Sequence, residues 1–204
     1  MLRVGLTGSI AVGKSHVVGL LKELGCHVID ADQTARDVVA PGTEGLKRVV
    51  AEFGREVLQP DGRLDRARLA AIIFGERQKR ERLNQILHPL IISEQDAQMR
   101  AFEESDPQGI GIVDAALMIE SGGYKRFDRL VVVHCRPEIQ VERLMRRNNL
   151  SRAEAELRIA AQMPQEEKMR HADFLIDTSE DFETTRERTL EVFQKLKALS
   201  RERS

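Results

Sequence analysis

The run Gly8-Ser9-Ile10-Ala11-Val12-Gly13-Lys14-Ser15 constrains this chain more than any other eight residues. It fits the spacing G-x-x-x-x-G-K-[S/T] without a gap. Its context is also the required one: a short apolar segment at 4–7 runs into it and an apolar-periodic helix at 17–24 runs out of it. In that context the backbone N–H groups of the loop and of the helix start converge on one point, with the positive end of the helix dipole behind it. A polyphosphate suits that point. Lys14 is then expected to reach the β and γ phosphates, and the Ser15 hydroxyl to bind a Mg2+ ion that bridges them. The expected contacts to a nucleoside triphosphate are Gly8, Ala11, Val12, Gly13, Lys14, Ser15 and His16. The motif specifies binding and leaves open what the phosphate is used for.

Four more apolar runs, at 27–29, 110–113, 130–134 and 174–176, read as short strands with helical patterns between them. Short strands buried on two sides and alternating with helices predict a parallel α/β sheet, which binds ligands beyond the carboxyl ends of its strands. The gap between the second and third strands is too long for one crossover. It holds helical patterns at 43–54, 65–74 and 76–104, with His88-Pro89 expected to end or kink the last. These predict an inserted helical subdomain, about 43–104, devoted to substrate recognition. A second insertion follows the fourth strand: 136–170 is helical and rich in arginine, broken at Asn148-Asn149-Leu150-Ser151 and restarted by a capping box from Ser151 to Glu154. The tail at 184–199 reads as an amphipathic helix on the sheet, with 200–204 frayed. The chain is thus expected to be a single P-loop NTPase domain: a five-stranded parallel sheet flanked by helices (core 1–40, 107–140 and 171–204), the helical subdomain, and an Arg-rich lid at about 141–168.

Composition closes off other classes. With 41% hydrophobic and 32% charged residues the chain has a globular profile, and no apolar run approaches the ~20 residues a membrane span needs. The start, Met1 to Gly8, is too short and too soon interrupted by glycine for a signal peptide. A net charge of -1 predicts no general attraction to nucleic acid or membrane. Cys26 and Cys135 are isolated, lack metal-ligand spacing and read as buried apolar residues in a reducing cytoplasm.

Three groups of residues are candidates for chemistry. Asp30 and Asp32 follow the second strand, where a carboxylate can accept the proton of an attacking hydroxyl; Asp32 equally fits the N-cap of a helix beginning near Gln33. Asp114 ends the third strand, a position suited to holding Mg2+ through water or to capping a turn. Arg143, Arg146 and Arg147 recur at helical spacing largely on one face, as a lid closing on a phosphate or as a solvated basic surface. His16, His88, His134 and His171 are scattered and suggest no metal site. A guanine-reading N-K-x-D after the fourth strand is absent, since Arg136-Pro137-Glu138 stands there.

On these residues the chain resembles the dephospho-CoA kinase family from about 4 to 178. The family loop G-L-T-G-G-I-G-S-G-K-[S/T] stands here as Gly5 to Ser15, with Ser9, Ala11 and Val12 in place of Gly, Gly and Ser, and with His16 where Ser or Thr is usual. Its D-A-D-x-x-A-R is Asp30 to Arg36, the most specific match; its D-G-x-L-D-R is Asp61 to Arg66 and its H-P-x-I is His88 to Ile91. Its Q-x-x-R-L-x-x-R is Gln140 to Arg147 and its A-D-F-x-I-D is Ala172 to Asp177, whereas P-L-L-F-E is altered to Ala116-Leu117-Met118-Ile119-Glu120. The resemblance implies ATP and Mg2+ as the nucleotide and metal, and dephospho-CoA as the small-molecule partner. It implies Asp32 as the base on the ribose 3′-hydroxyl, with Lys14 assisting transfer and Arg143 and Arg147 in the lid. It also implies substrate binding by Asp30, Arg36, His88 and Glu120, with Ser15 and Asp114 serving the metal. Another small-molecule or nucleoside monophosphate kinase, or a relative that binds nucleotide without catalysis, remains as an alternative reading.

Overall fold

The computed structural model describes residues 1–202. Five strands are present: β1 (Leu2–Gly8), β2 (His27–Asp30), β3 (Ile110–Asp114), β4 (Arg129–His134) and β5 (Phe174–Asp177), in the sheet order β2-β3-β1-β4-β5. The sheet is parallel, as the sequence predicted. Central β1 pairs with β3 from Leu2↔Ile110 to Leu6↔Asp114 and with β4 from Val4↔Arg129 to Gly8↔Val133. Both faces are covered, so its apolar run need not alternate with polar residues.

Side chains two apart share a face. Leu2, Val4 and Leu6 join Ile112, Val131, Val133 and Ile176 in one core. Two helices complete it: α1 (Lys14–Glu23) through Val17 and Leu21, and α9 (Phe182–Arg201) through Val192 and Leu196. The intervening residues point the other way, where a Cβ on Gly5 would meet Met118 and Phe127, and where Thr7 Oγ1 donates to the carbonyl of Ala116 at 3.2 Å. Each fully buried aliphatic side chain contributes roughly 1.5–3 kcal/mol. No helix among the described residues is long and apolar enough to cross a membrane.

Contacts divide the chain into two compact units: Met1–Ile29 with the segment from Ala101 onward, and Asp30–Arg100. The second unit holds α2 (Ala31–Asp37), α3 (Glu44–Phe53), α4 (Arg66–Ile73) and most of α5 (Arg77–Ser105). Its own core is Val39, Val49, Phe53, Val57 and Leu69, with Val38, Leu83, Ile86 and Leu87 packed on it. Residues 38 and 39, which follow α2, therefore belong with the helical unit. Thr43 and Asp65 cap α3 and α4 by accepting from Leu46 N and Arg68 N.

Of the two outcomes expected at His88-Pro89, an end or a kink, the end does not occur: the 29-residue α5 runs through Pro89. The lost Pro89 N–H costs about 3 kcal/mol in an isolated helix, but Leu83, Ile86 and Leu87 before it and Gln95 and Met99 after it are drawn into packing. Nor does Ser200 fray. It is 1% exposed, and its hydroxyl donates to the carbonyls of Gln108 and Gly109 at 2.9 and 3.0 Å. Residues 203 and 204 of the segment expected to fray lie outside the described residues.

The helix α9 closes one face of the sheet, so Leu196→Ala should cost about 2–5 kcal/mol in urea unfolding. A loss below ~1 kcal/mol would contradict the packing described.

Candidate active site

The phosphate loop leaves β1 at Gly8, where a Cβ would sit 2.6 Å from the carbonyl oxygen of Val133. No other residue allows that approach of loop to strand. Gly13 ends the loop in the left-handed region, φ 85°, and is the N-cap of α1 without any side-chain cap. The first turn of α1 carries no acidic residue. At five other helix starts a side chain fills that place: Asp30, Thr43, Asp65, Ser151 and Asp181 each accept a hydrogen bond from a backbone N–H of the first turn. Helix α1 thus presents N–H donors and a positive dipole end with no competing anion from the chain.

The altered loop residues have specific consequences. Ala11 has φ 60°, a left-handed conformation that costs an alanine about 1–2 kcal/mol. Val12 is 0% exposed and its side chain belongs to the sheet core, so only its backbone is available to a ligand. Ser9 Oγ and His16 Nε2 are buried with no hydrogen-bond partner, and the His16 ring meets Phe182 edge-on at 4.9 Å.

Lys14 Nζ contacts the carboxylate of Asp114. The Ala115 N–H donates to Leu6 O at 3.0 Å, which fixes the end of β3 beside β1 and explains why the two charged groups meet. Ser15 is exposed. No group of three or more His, Cys, Asp or Glu among the described residues is arranged as a metal site. Ser15 and Asp114 fit a Mg2+ ion of the kind that takes one or two protein ligands and completes its shell with phosphates and water.

The segment after β4 forms three helices: α6 (Pro137–Asn148), α7 (Arg152–Ala160) and α8 (Gln165–Met169). The capping box from Ser151 to Glu154 is present. A second break around Pro164 was not foreseen, and Pro164 is the N-cap of α8. Of the three arginines, Arg143 is drawn inward. Its Nη1 and Nη2 donate to Oγ1 and the carbonyl of Thr178 at 3.0 and 2.7 Å. Thr178, 3% exposed, donates in turn to Val12 O at 2.6 Å. Arg143 Nη1 would lie 3.4 Å from a Cβ on Gly13. Arg146 and Arg147 are exposed, with Arg147 Nε donating to Asn148 Oδ1 at 2.9 Å. Of the three arginines expected largely on one face, one is pinned beside the loop and two are in solvent.

In the helical unit, Asp30 rather than Asp32 caps α2: its Oδ1 accepts from Asp32 N and Gln33 N at 2.8 and 3.0 Å. Asp32 lies in the first turn with an exposed side chain that has no capping duty. Arg36 and His88 are likewise exposed in α2 and α5. Glu120 is ion-paired with Lys168 at 2.7 Å, and Lys168 Nζ also donates to Ala116 O at 2.8 Å. Lys168 is 0% exposed. Sequence reading missed it, because a lysine within Gln165-Glu166-Glu167-Lys168 looks like one member of a solvated charged turn. Thr178 was missed because a single threonine after a strand carries no pattern. Burial pushes the Cys26 and Cys135 thiols up to about 12 and about 11, against lesser opposing effects from Lys197 and Arg143, so both are neutral thiols near pH 7.

Known proteins resemble this chain over most of its length. The family model described as dephospho-CoA kinase matches residues 2–183. A Listeria monocytogenes protein named dephospho-CoA kinase is 46% identical over 189 residues, covering 92% of this chain and 93% of that protein. A crystal structure of a Thermus thermophilus protein has 28% identity and a TM-score of 0.81, covering 95% of this chain and 96% of that one. The structure of dephospho-CoA kinase from Campylobacter jejuni has 25% identity and a TM-score of 0.64 over the same shares.

Removing the counterion of a buried ammonium is more damaging than removing a surface pair. Glu120→Gln should therefore lower stability by about 3 kcal/mol in denaturant titration. A change under ~1 kcal/mol would show that Lys168 is satisfied by Ala116 O alone.

Proposed function

The chain belongs to the dephospho-CoA kinase family, and we propose that it transfers the γ-phosphoryl group of ATP to the ribose 3′-hydroxyl of dephospho-CoA, giving coenzyme A. The observation that supports this reading is a loop at Gly8 to Ser15 that opens α1 without a side-chain cap, in a chain that also holds the Asp30-Ala31-Asp32 step. A cytoplasmic location fits the two unpaired, buried thiols.

Backbone N–H groups of the loop and of the α1 start bind the β and γ phosphates. Lys14 exchanges its contact with Asp114 for those phosphates when nucleotide arrives. Ser15 Oγ and Asp114 would hold Mg2+, which supplies charge neutralisation on the β and γ oxygens. Arg143, held beside Gly13 by Thr178, keeps its guanidinium next to the phosphate seat, and Arg147 on the outer turn of α6 closes over it. Closure of the α6–α7 segment excludes water that would otherwise hydrolyse ATP.

Asp32 takes the proton of the 3′-hydroxyl as the phosphoryl group moves in line. Relief from capping duty by Asp30 leaves both Asp32 carboxylate oxygens for that task. Asp30, Arg36, His88 and Glu120 contribute to the acceptor site; Arg36 suits the acceptor's phosphates by charge, and Lys168 orients Glu120.

Asp32→Asn should reduce kcat by roughly 10²–10⁴-fold and leave the ATP dissociation constant unchanged. Turnover at the wild-type rate would remove Asp32 from proton transfer. A panel of acceptors with labelled ATP tests the substrate: dephospho-CoA should be phosphorylated far faster than nucleoside monophosphates or free nucleosides. Preference for a monophosphate would point to a different kinase on this fold.

A further inference from the structure

Two glutamines meet one residue of the phosphate loop, and a third backs one of them. Ile10 N–H donates to Gln162 Oε1 at 2.8 Å, and Gln140 Nε2 donates to Ile10 O at 2.8 Å. Gln165 Nε2 donates to Gln140 Oε1 at 2.8 Å, and Gln165 Oε1 accepts from Cys135 N at 3.1 Å. Backbone groups terminate this relay at both ends, and they dictate the orientation of each amide: Cys135 N–H must donate and Ile10 C=O must accept. Gln140 is 2% exposed, so its amide has no recourse to water. Gln140 opens the Gln140 to Arg147 match, within which the sequence reading gave roles to the arginines and none to this glutamine.

Both backbone polar groups of Ile10 are thus held by side chains from the helical segment after β4. The next residue is Ala11, in its left-handed conformation. The Ile10 and Ala11 side chains also rest on the small apolar cluster of Val141, Leu144 and Ala155. The loop bends at Ala11, and the peptide groups just before the bend are fixed from outside the loop.

We propose that Gln140, Gln162 and Gln165 form a side-chain brace that holds the Ile10–Ala11 step in the conformation that binds ATP. They are positioning residues, acting through the loop backbone and not on the substrate. The brace rests on reading Gly8 to Ser15 as the triphosphate seat. It also explains how this chain carries alanine where the family loop has glycine: the amides hold from outside a bend that glycine would adopt unaided.

The test uses the full chain and volume-matched variants that remove hydrogen bonding, Gln140→Met and Gln162→Met. Each should raise the KM for ATP and the directly titrated ATP dissociation constant about tenfold, leaving the KM for dephospho-CoA within about twofold. Putting Ala11→Gly into the Gln140→Met chain should shrink the ATP penalty to about threefold, since glycine needs no brace. Should buried Gln140→Met fail to fold, half-buried Gln162→Met decides. An unchanged ATP constant, an equal rise in both KM values, or a penalty untouched by Ala11→Gly overturns the brace while the kinase reading stands. A wild-type chain that binds no ATP overturns the brace and the reading of the loop together.

Discussion

The proposed phosphate seat rests on a helix start, that of α1, to which the chain gives no side-chain cap. Most other helix starts here are closed by an aspartate, serine or threonine. Helix α1 begins at Gly13, which offers no side chain, and it keeps acids out of its first turn. Unsatisfied donors cost stability, and an anion recovers that cost on binding. The surrounding structure is organised to keep the loop in shape meanwhile. Gly8 presses against Val133, Val12 plugs into the core, and Thr178 takes the Val12 carbonyl. The Lys14 ammonium is held ready against Asp114.

A second layer of polar contacts ties the arginine-rich segment to the sheet. Arg143 reaches the exit of β5, Gln140 and Gln162 reach the loop, and Lys168 reaches the turn after β3. Both ends of the segment are therefore anchored. Between those anchors lie the outer turn of α6, where Arg146 and Arg147 are exposed, and α7, whose Ala155 is buried against α6 and the loop.

Much of the fold was legible in the sequence because its signals are local. Five apolar runs gave the strands to within two residues at either end, and the Ser151 to Glu154 pair marked a helix start that is present. What the sequence hid was decided by tertiary partners. Pro89 normally breaks a helix, yet packing on both sides carries α5 through it. Asp30 and Asp32 are equivalent by spacing, and only the start of α2 at Ala31 assigns the cap to Asp30. Three arginines at helical spacing look alike until Thr178, thirty-five residues away, selects Arg143. Lys168 and the glutamines become visible only when residues far apart in sequence meet. Of the candidate site, the loop was readable as a motif, and the contacts that shape it were not.

The most direct measurement of the central claim is 31P NMR of the reaction of the purified chain with MgATP and dephospho-CoA. The account predicts ADP and a new phosphomonoester on the ribose 3′ oxygen, formed in equal amounts. Release of inorganic phosphate without that ester, or a phosphate appearing at any other position, would contradict it.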